Sequence, residues 1–145
     1  MLTKKLILEP EYSKYIYYTS WLMLFTSLYG FYESYYSIGC LTFVVFCTSI
    51  NYWRNPIDDM RRVVDLTAVI TTLFYTLYYI QWCYNQHIYY LILGTIIMFY
   101  FLSKYYRYQK NYTYCALYHC CVHIMGHICN ICIYNEIIDC RCYLE

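Results

Sequence analysis

Residues 87–103 have the sequence HIYYLILGTIIMFYFLS and contain no Asp, Glu, Lys or Arg. Such a run can cross the hydrocarbon core of a bilayer as a single α-helix. Its length matches a membrane span better than a helix in the core of a soluble domain. The sequence therefore predicts a transmembrane helix over these residues.

Four further runs on either side are also nearly free of charged residues. They cover residues 15–32, 35–53, 66–86 and 111–135. The breaks between the runs contain Gly, Pro, Asn or charged residues, which end helices or favour turns. We therefore expect residues 1–145 to form one domain, an all-α polytopic membrane helix bundle of about five transmembrane helices.

The composition also favours a membrane protein over a soluble one. Of 145 residues, 61% are hydrophobic and 23% aromatic, and only 13% are charged. An average soluble domain contains about 25% charged residues. Adjacent tyrosines recur near the predicted helix ends, where membrane proteins concentrate aromatic side chains. The net charge of +1, without a long basic run, excludes a nucleic-acid-binding surface, and the lipid bilayer is the indicated partner.

Positive charges are distributed unequally between the predicted loops. The N-terminus and the second and fourth loops carry Lys4, Lys5, Lys14, Arg54, Arg61, Arg62, Lys104, Arg107 and Lys110. The opposite side carries Arg141. Because short cytoplasmic loops are enriched in Lys and Arg, we expect a cytoplasmic N-terminus in the plasma membrane or an endomembrane. The heavy use of Tyr, Ile and Asn indicates an AT-rich genome, such as that of a large DNA virus, so a virion or host membrane is an alternative location.

Four polar side chains inside the predicted helices are the candidate site. Ser49 lies near the end of the second helix, Asp65 opens the third, and His119 and His123 lie in the fifth. The predicted topology places all four at a similar depth, so we expect them to converge. Ionisable groups at such positions are costly and are commonly functional. Two histidines four residues apart share a helical face and can bind one metal ion.

Interpretations without this metal site remain open. The histidines, including His127, would form hydrogen bonds between helices. Asp65 would pair with Arg62, one turn earlier. Most of the ten cysteines would act as small hydrophobic residues inside the spans. A four-thiolate zinc site or a tail disulfide is the alternative for Cys129, Cys132, Cys140 and Cys142.

Two segments resemble the scattered signature of a membrane hydrolase superfamily. They are TSINYWRNPIDDMRRVVDL, residues 48–66, and YHCCVHIMGHICN, residues 118–130. The superfamily includes alkaline ceramidases, adiponectin-type receptors and Per1-like lipid-remodelling proteins. Its Ser, its Asp and its pair of late histidines match Ser49, Asp65, His119 and His123, over about a third of the chain.

The resemblance implies a zinc-dependent hydrolase that acts on the amide or ester of a lipid. His119 and His123 would bind zinc. Asp65 would be the base or proton shuttle, and Ser49 would stabilise the oxyanion or the metal-bound water. The chain departs from the family at Trp53, which replaces a third histidine, and in having about five spans rather than seven. We therefore expect a divergent or decayed lipid amidase or esterase, and the alternative is a noncatalytic membrane scaffold or assembly protein.

Overall fold

A computed structural model describes the backbone of residues 6–142 and the side chains of residues 6–136. Within this range the chain is helical, and the β structure consists of an isolated bridge between Leu6 and Ile57. The helices are α1 (Pro10–Tyr32), α2 (Tyr36–Trp53), α3 (Met60–Ile80), α4 (Gln86–Tyr108) and α5 (Tyr112–Cys142). The predicted all-α architecture is therefore confirmed for the described residues.

The largest difference from the predicted boundaries concerns α3. Its predicted span covered residues 66–86, whereas the helix begins at Met60 and ends at Ile80. The earlier start is stabilised by Asp59, whose side chain accepts a hydrogen bond from the backbone N–H of Arg61 at 3.0 Å. Because the charged first turn belongs to the helix, Asp65 lies in its second turn rather than at its start.

Three helical segments in the described part of the chain are long and apolar enough to cross a membrane. They are Met60–Ile80, Gln86–Tyr108 and Tyr112–Glu136. Large apolar side chains project from them, with Phe74, Leu91 and Phe101 between 62% and 73% exposed. Lipid is a suitable environment for such faces, whereas water is not. These features are consistent with an integral membrane protein, and the number of five spans stays a prediction.

The helices pack as an open arc. In the centre, α1 packs against both α2 and α5. From there α2 continues to α3, and α5 continues to α4. The two ends of the arc, α3 and α4, leave a space between them, which is closed near Ile80 by a buried cluster of side chains from α3, α4 and α5.

Small residues form the face of α1 that packs against its neighbours. Ser13, Ser20 and Ser27 recur every seventh residue, share one helical face and are at most 2% exposed. Gly30 continues this face, and a Cβ atom there would lie 3.2 Å from Cα of Gly39 in α2. Such small residues allow membrane helices to approach closely. Overall hydropathy did not indicate which face of α1 is buried, but this spacing does.

Candidate functional site

A cavity of about 220 Å³ lies between the two ends of the helical arc. Its lining includes all four residues that were expected to converge: Ser49, Asp65, His119 and His123. Most of the remaining lining is apolar and includes Met23, Val45, Leu73, Leu93, Ile96 and Val122. Along α3 the lining runs from Arg62 to Thr76, a rise of roughly 20 Å. The cavity is therefore a long, mostly apolar space whose charged groups lie near one end.

Asp65 is held by hydroxyl groups of α2. Ser49 donates to Oδ1 of Asp65 at 2.6 Å, and Thr48 donates to the same oxygen at 3.0 Å. A buried carboxylate needs such partners, and Asp65 is only 9% exposed. The expected ion pair between Asp65 and Arg62 is wrong, because Arg62 instead bonds Asp58 at 2.7 Å. Ser49 was predicted from the sequence as a site residue, whereas Thr48 was not.

The histidines of α5 contact α1 as well as the cavity. Nδ1 of His123 lies 3.3 Å from Oγ of Ser20. One turn further along, Nδ1 of His127 lies 2.6 Å from Oγ1 of Thr26. The interpretation that these histidines form hydrogen bonds between helices therefore matches the structure for His123 and His127.

His119 is surrounded by rings. Its imidazole lies 5.3 Å from that of His123, measured between ring centroids. The indole of Trp53, at the end of α2, lies 4.7 Å away at an angle of 58°. Tyr100 of α4 approaches to 6.3 Å. Trp53 therefore occupies the side of His119 that faces α2.

The metal donors at this site are few. Across residues 6–136, no group of three or more His, Cys, Asp or Glu side chains is close enough to hold one metal ion. Catalytic zinc sites ordinarily have three protein ligands. Here α5 offers the imidazoles of His119 and His123, the indole of Trp53 has no lone pair to offer, and Asn51 is exposed. The residues present therefore do not make up the three-ligand site that the resemblance implies.

The cysteines do not supply the missing ligand within the described side chains. Seven of those described are free thiols: Cys40, Cys47, Cys115, Cys120, Cys121, Cys129 and Cys132. Cys140 and Cys142, part of the alternative zinc or disulfide site, lie outside the described side chains. That alternative therefore stays a prediction.

One face of α4 contributes cavity residues that the sequence analysis did not assign to a site. Tyr100, Ser103, Lys104 and Arg107 all line the cavity. Their spacing of three and four residues places them along one stripe of the helix. In the sequence, Lys104 and Arg107 indicated only the orientation of the protein. The stripe was the sequence feature that could have indicated these cavity residues, because it continues a polar helix face into an apolar span.

The structure is a helical bundle with a polar cluster between its helices, and its three candidate spans are consistent with an integral membrane protein. Comparisons with models of known families, with curated proteins and with solved structures find no match for this chain. The resemblance to the membrane hydrolases therefore stays a prediction that depends on Ser49, Asp65, His119 and His123.

Proposed function

We propose that the protein is a noncatalytic, lipid-binding relative of the membrane hydrolase superfamily that it resembles. The observation that carries this proposal is the contact between Trp53 and His119, whose ring centroids lie 4.7 Å apart. In the family, a metal-binding histidine would occupy position 53. A tryptophan there leaves the cavity in place but removes one ligand of the metal.

The shape of the cavity supports a lipid as its ligand. Leu66 and Val69 line the cavity and are each 40% exposed, and the cavity is only partly enclosed where α3 and α4 leave a space between them. In a bilayer, that opening faces acyl chains. An acyl chain can enter from the side and bury apolar surface against the lining, as in other concave apolar sites.

Two buried polar atoms along the cavity support a ligand that has polar groups as well. Oγ1 of Thr72 and Oδ1 of Asn130 have no hydrogen-bond partner among the residues whose side chains are described. Both residues line the cavity. Buried polar atoms are ordinarily satisfied, so an ester, amide or hydroxyl of a bound lipid is a suitable partner.

We also propose that all five helices span the membrane and that the N-terminus is cytoplasmic. At 23 and 18 residues, α1 and α2 are long enough to span. Arg62, Lys104, Arg107 and Lys110 come from different parts of the chain but line one pocket at the same end of the bundle. The positive-inside rule puts that end in the cytoplasm, in the plasma membrane or an endomembrane.

A zinc-dependent lipid amidase or esterase is the second candidate, and the orientation of His123 favours it. The hydroxyl of Ser20 donates to the carbonyl of Ile16 at 2.8 Å. With the Ser20 hydrogen in that bond, His123 would donate to Ser20 through Nδ1, and this tautomer leaves a lone pair on Nε2. Zinc-binding histidines are commonly held in this way. Asp65 and Ser49 would then keep the roles that the resemblance implies.

Metal content and hydrolysis distinguish the two candidates. The purified protein is assayed for bound zinc and for hydrolysis of a panel of lipid amides and esters. The proposal predicts far less than one zinc per chain and no more hydrolysis than the His119→Ala/His123→Ala variant. About one zinc per chain, lost together with hydrolysis in that variant, would establish the second candidate.

Lipid retention tests binding separately. We expect about one lipid per chain to remain after detergent purification, measured by native mass spectrometry. Val122→Trp fills the cavity and should reduce this retention. Val44→Trp, on an exposed face of α2, is the matched control and should not. Equal retention in both variants would contradict binding in the cavity.

A further inference from the structure

The polar end of the cavity continues into a second, more open pocket. This pocket has a volume of about 510 Å³. It shares Ile7, Arg62, Lys104 and Arg107 with the apolar cavity, so the two spaces are adjacent. We call the second pocket the basic mouth, after its charged residues Arg62, Lys104, Arg107, Lys110 and Asp58.

The positive charge of the basic mouth is largely uncompensated. Its one carboxylate, Asp58, bonds Arg62 at 2.7 Å. Among the side chains that the structure describes, Lys104, Arg107 and Lys110 form no ion pair. Three cations gathered around one pocket repel each other, and an anionic ligand would relieve this repulsion.

The α4 stripe places two of these cations directly above the apolar lining. Nζ of Lys104 lies 4.5 Å from the ring centroid of Tyr100, one turn deeper in the cavity. Arg107 lies a further turn toward the mouth and has a planar group of donors that suits phosphate oxygens. A phosphate bound by these residues would therefore have apolar surface immediately below it.

We propose that the basic mouth binds the phosphate-bearing, anionic headgroup of a lipid whose acyl chain occupies the apolar cavity. This inference rests on the proposed lipid-binding function and adds the headgroup class. A soluble phosphate compound has the same headgroup chemistry, but the apolar cavity adjoining the mouth favours a lipid. Anionic lipids also concentrate in the cytoplasmic leaflet, where the proposed topology places the mouth.

The test compares headgroups on the same acyl chains. The full chain, in neutral detergent, is titrated with phosphatidic acid, with phosphatidylcholine and with glycerol 3-phosphate, and bound species are counted by native mass spectrometry. We expect phosphatidic acid to bind about tenfold or more tightly than phosphatidylcholine. Glycerol 3-phosphate, which lacks acyl chains, should neither bind at these concentrations nor displace the lipid.

Two variants connect this preference to the basic mouth. Lys104→Gln/Arg107→Gln should reduce the preference for phosphatidic acid over phosphatidylcholine to about twofold or less, because binding of the anionic lipid weakens more than binding of the zwitterionic one. Arg107→Gln alone should give a partial loss and replaces the double variant if that one does not fold. Arg54→Gln is the matched control, because Arg54 is an exposed cation outside the mouth, and it should keep the full preference.

Each contrary outcome has a distinct meaning. Equal binding of the two lipids would overturn the headgroup inference and leave the lipid-binding function standing. Binding of neither lipid would overturn both. Displacement of phosphatidic acid by equimolar glycerol 3-phosphate would show that the mouth binds soluble phosphates instead of lipids. A full preference in the double variant would place the anion site elsewhere.

Discussion

The indole of Trp53 and the imidazole of His119 lie 4.7 Å apart, at an angle of 58°. Trp53 ends α2, and His119 lies in the first half of α5. The contact therefore joins α2 to α5, which also meet where Ile38 and Tyr134 share a buried cluster. It also fills the space beside His119 with a ring that cannot bind a metal, which leads to the first prediction.

Replacing Trp53 by histidine should create a metal site. A third imidazole would then stand beside those of His119 and His123, which is the number of ligands that zinc needs. We expect Trp53→His to bind about one zinc per chain, measured by elemental analysis after dialysis, while the parent protein binds far less. Trp21→His is the control, because Trp21 is 40% exposed on α1 and packs against Phe46. A folded Trp53→His protein that binds no more zinc than the parent would contradict the account.

Ser49 and Asp65 should be energetically coupled. Their 2.6 Å hydrogen bond joins α2 to α3, and both side chains are buried. A double-mutant cycle of Ser49→Ala and Asp65→Asn, followed by unfolding in detergent, should give a coupling free energy of about 0.5 to 2 kcal/mol. Thr67→Ala replaces Asp65→Asn in the control cycle, because the Thr67 hydroxyl bonds Val63 within its own helix. Equal coupling free energies in the two cycles would show that the hydrogen bond between Ser49 and Asp65 does not stabilise the fold.

Glu136 should stabilise the beginning of α4. Its Oε1 accepts the backbone N–H of Asn85 at 2.8 Å, and its Oε2 accepts the hydroxyl of Tyr89. Glu136 therefore caps the N-terminus of α4, where the N-cap residue Asn85 makes no side-chain hydrogen bond of its own. Glu136→Ala should lower the free energy of unfolding by about 1 to 2 kcal/mol. The control is Glu11→Ala at an exposed site of α1, and a similar loss in both variants would contradict the capping role.

The proposed orientation predicts that Asn111 carries no glycan. It begins an Asn-Tyr-Thr sequon and is exposed between α4 and α5. With a cytoplasmic N-terminus and five spans, this loop faces the cytoplasm, away from the glycosylation machinery. Expression in mammalian cells followed by glycosidase digestion should leave the mobility of the protein unchanged. A control sequon engineered into the loop at residues 81–85 should be glycosylated, and a glycan on Asn111 would reverse the topology.

The sequence was sufficient to predict the helices, because long uncharged runs have few other structures available. It was less reliable at α3, where the charged residues Arg61 and Arg62 belong to the first helical turn. The end of this helix at Ile80 was missed because the following turn contains neither Gly nor Pro. Turns without these residues depend on tertiary contacts, which a hydropathy pattern does not contain.

The convergence of Asp65 with Ser49 followed from the cost of buried polar groups and from their common depth. The specific partners did not follow, because they depend on how the helices rotate against each other. Thr48 reaches Asp65, and Ser20 reaches His123, through rotations that no residue spacing specifies. The stripe formed by Lys104 and Arg107 was visible in the sequence. That it lines a cavity was not, because the cavity depends on the open arrangement of the helices.

The location of a bound lipid tests the central claim most directly. The purified protein is reconstituted with a phosphatidic acid that carries a photoreactive diazirine in the middle of its acyl chain, irradiated and mapped by peptide mass spectrometry. The account predicts that crosslinks concentrate on cavity residues such as Val69, Leu73 and Val122, and that Val122→Trp reduces them. Crosslinks confined to outward-facing residues such as Phe25 and Val44, with the cavity unlabelled, would contradict it.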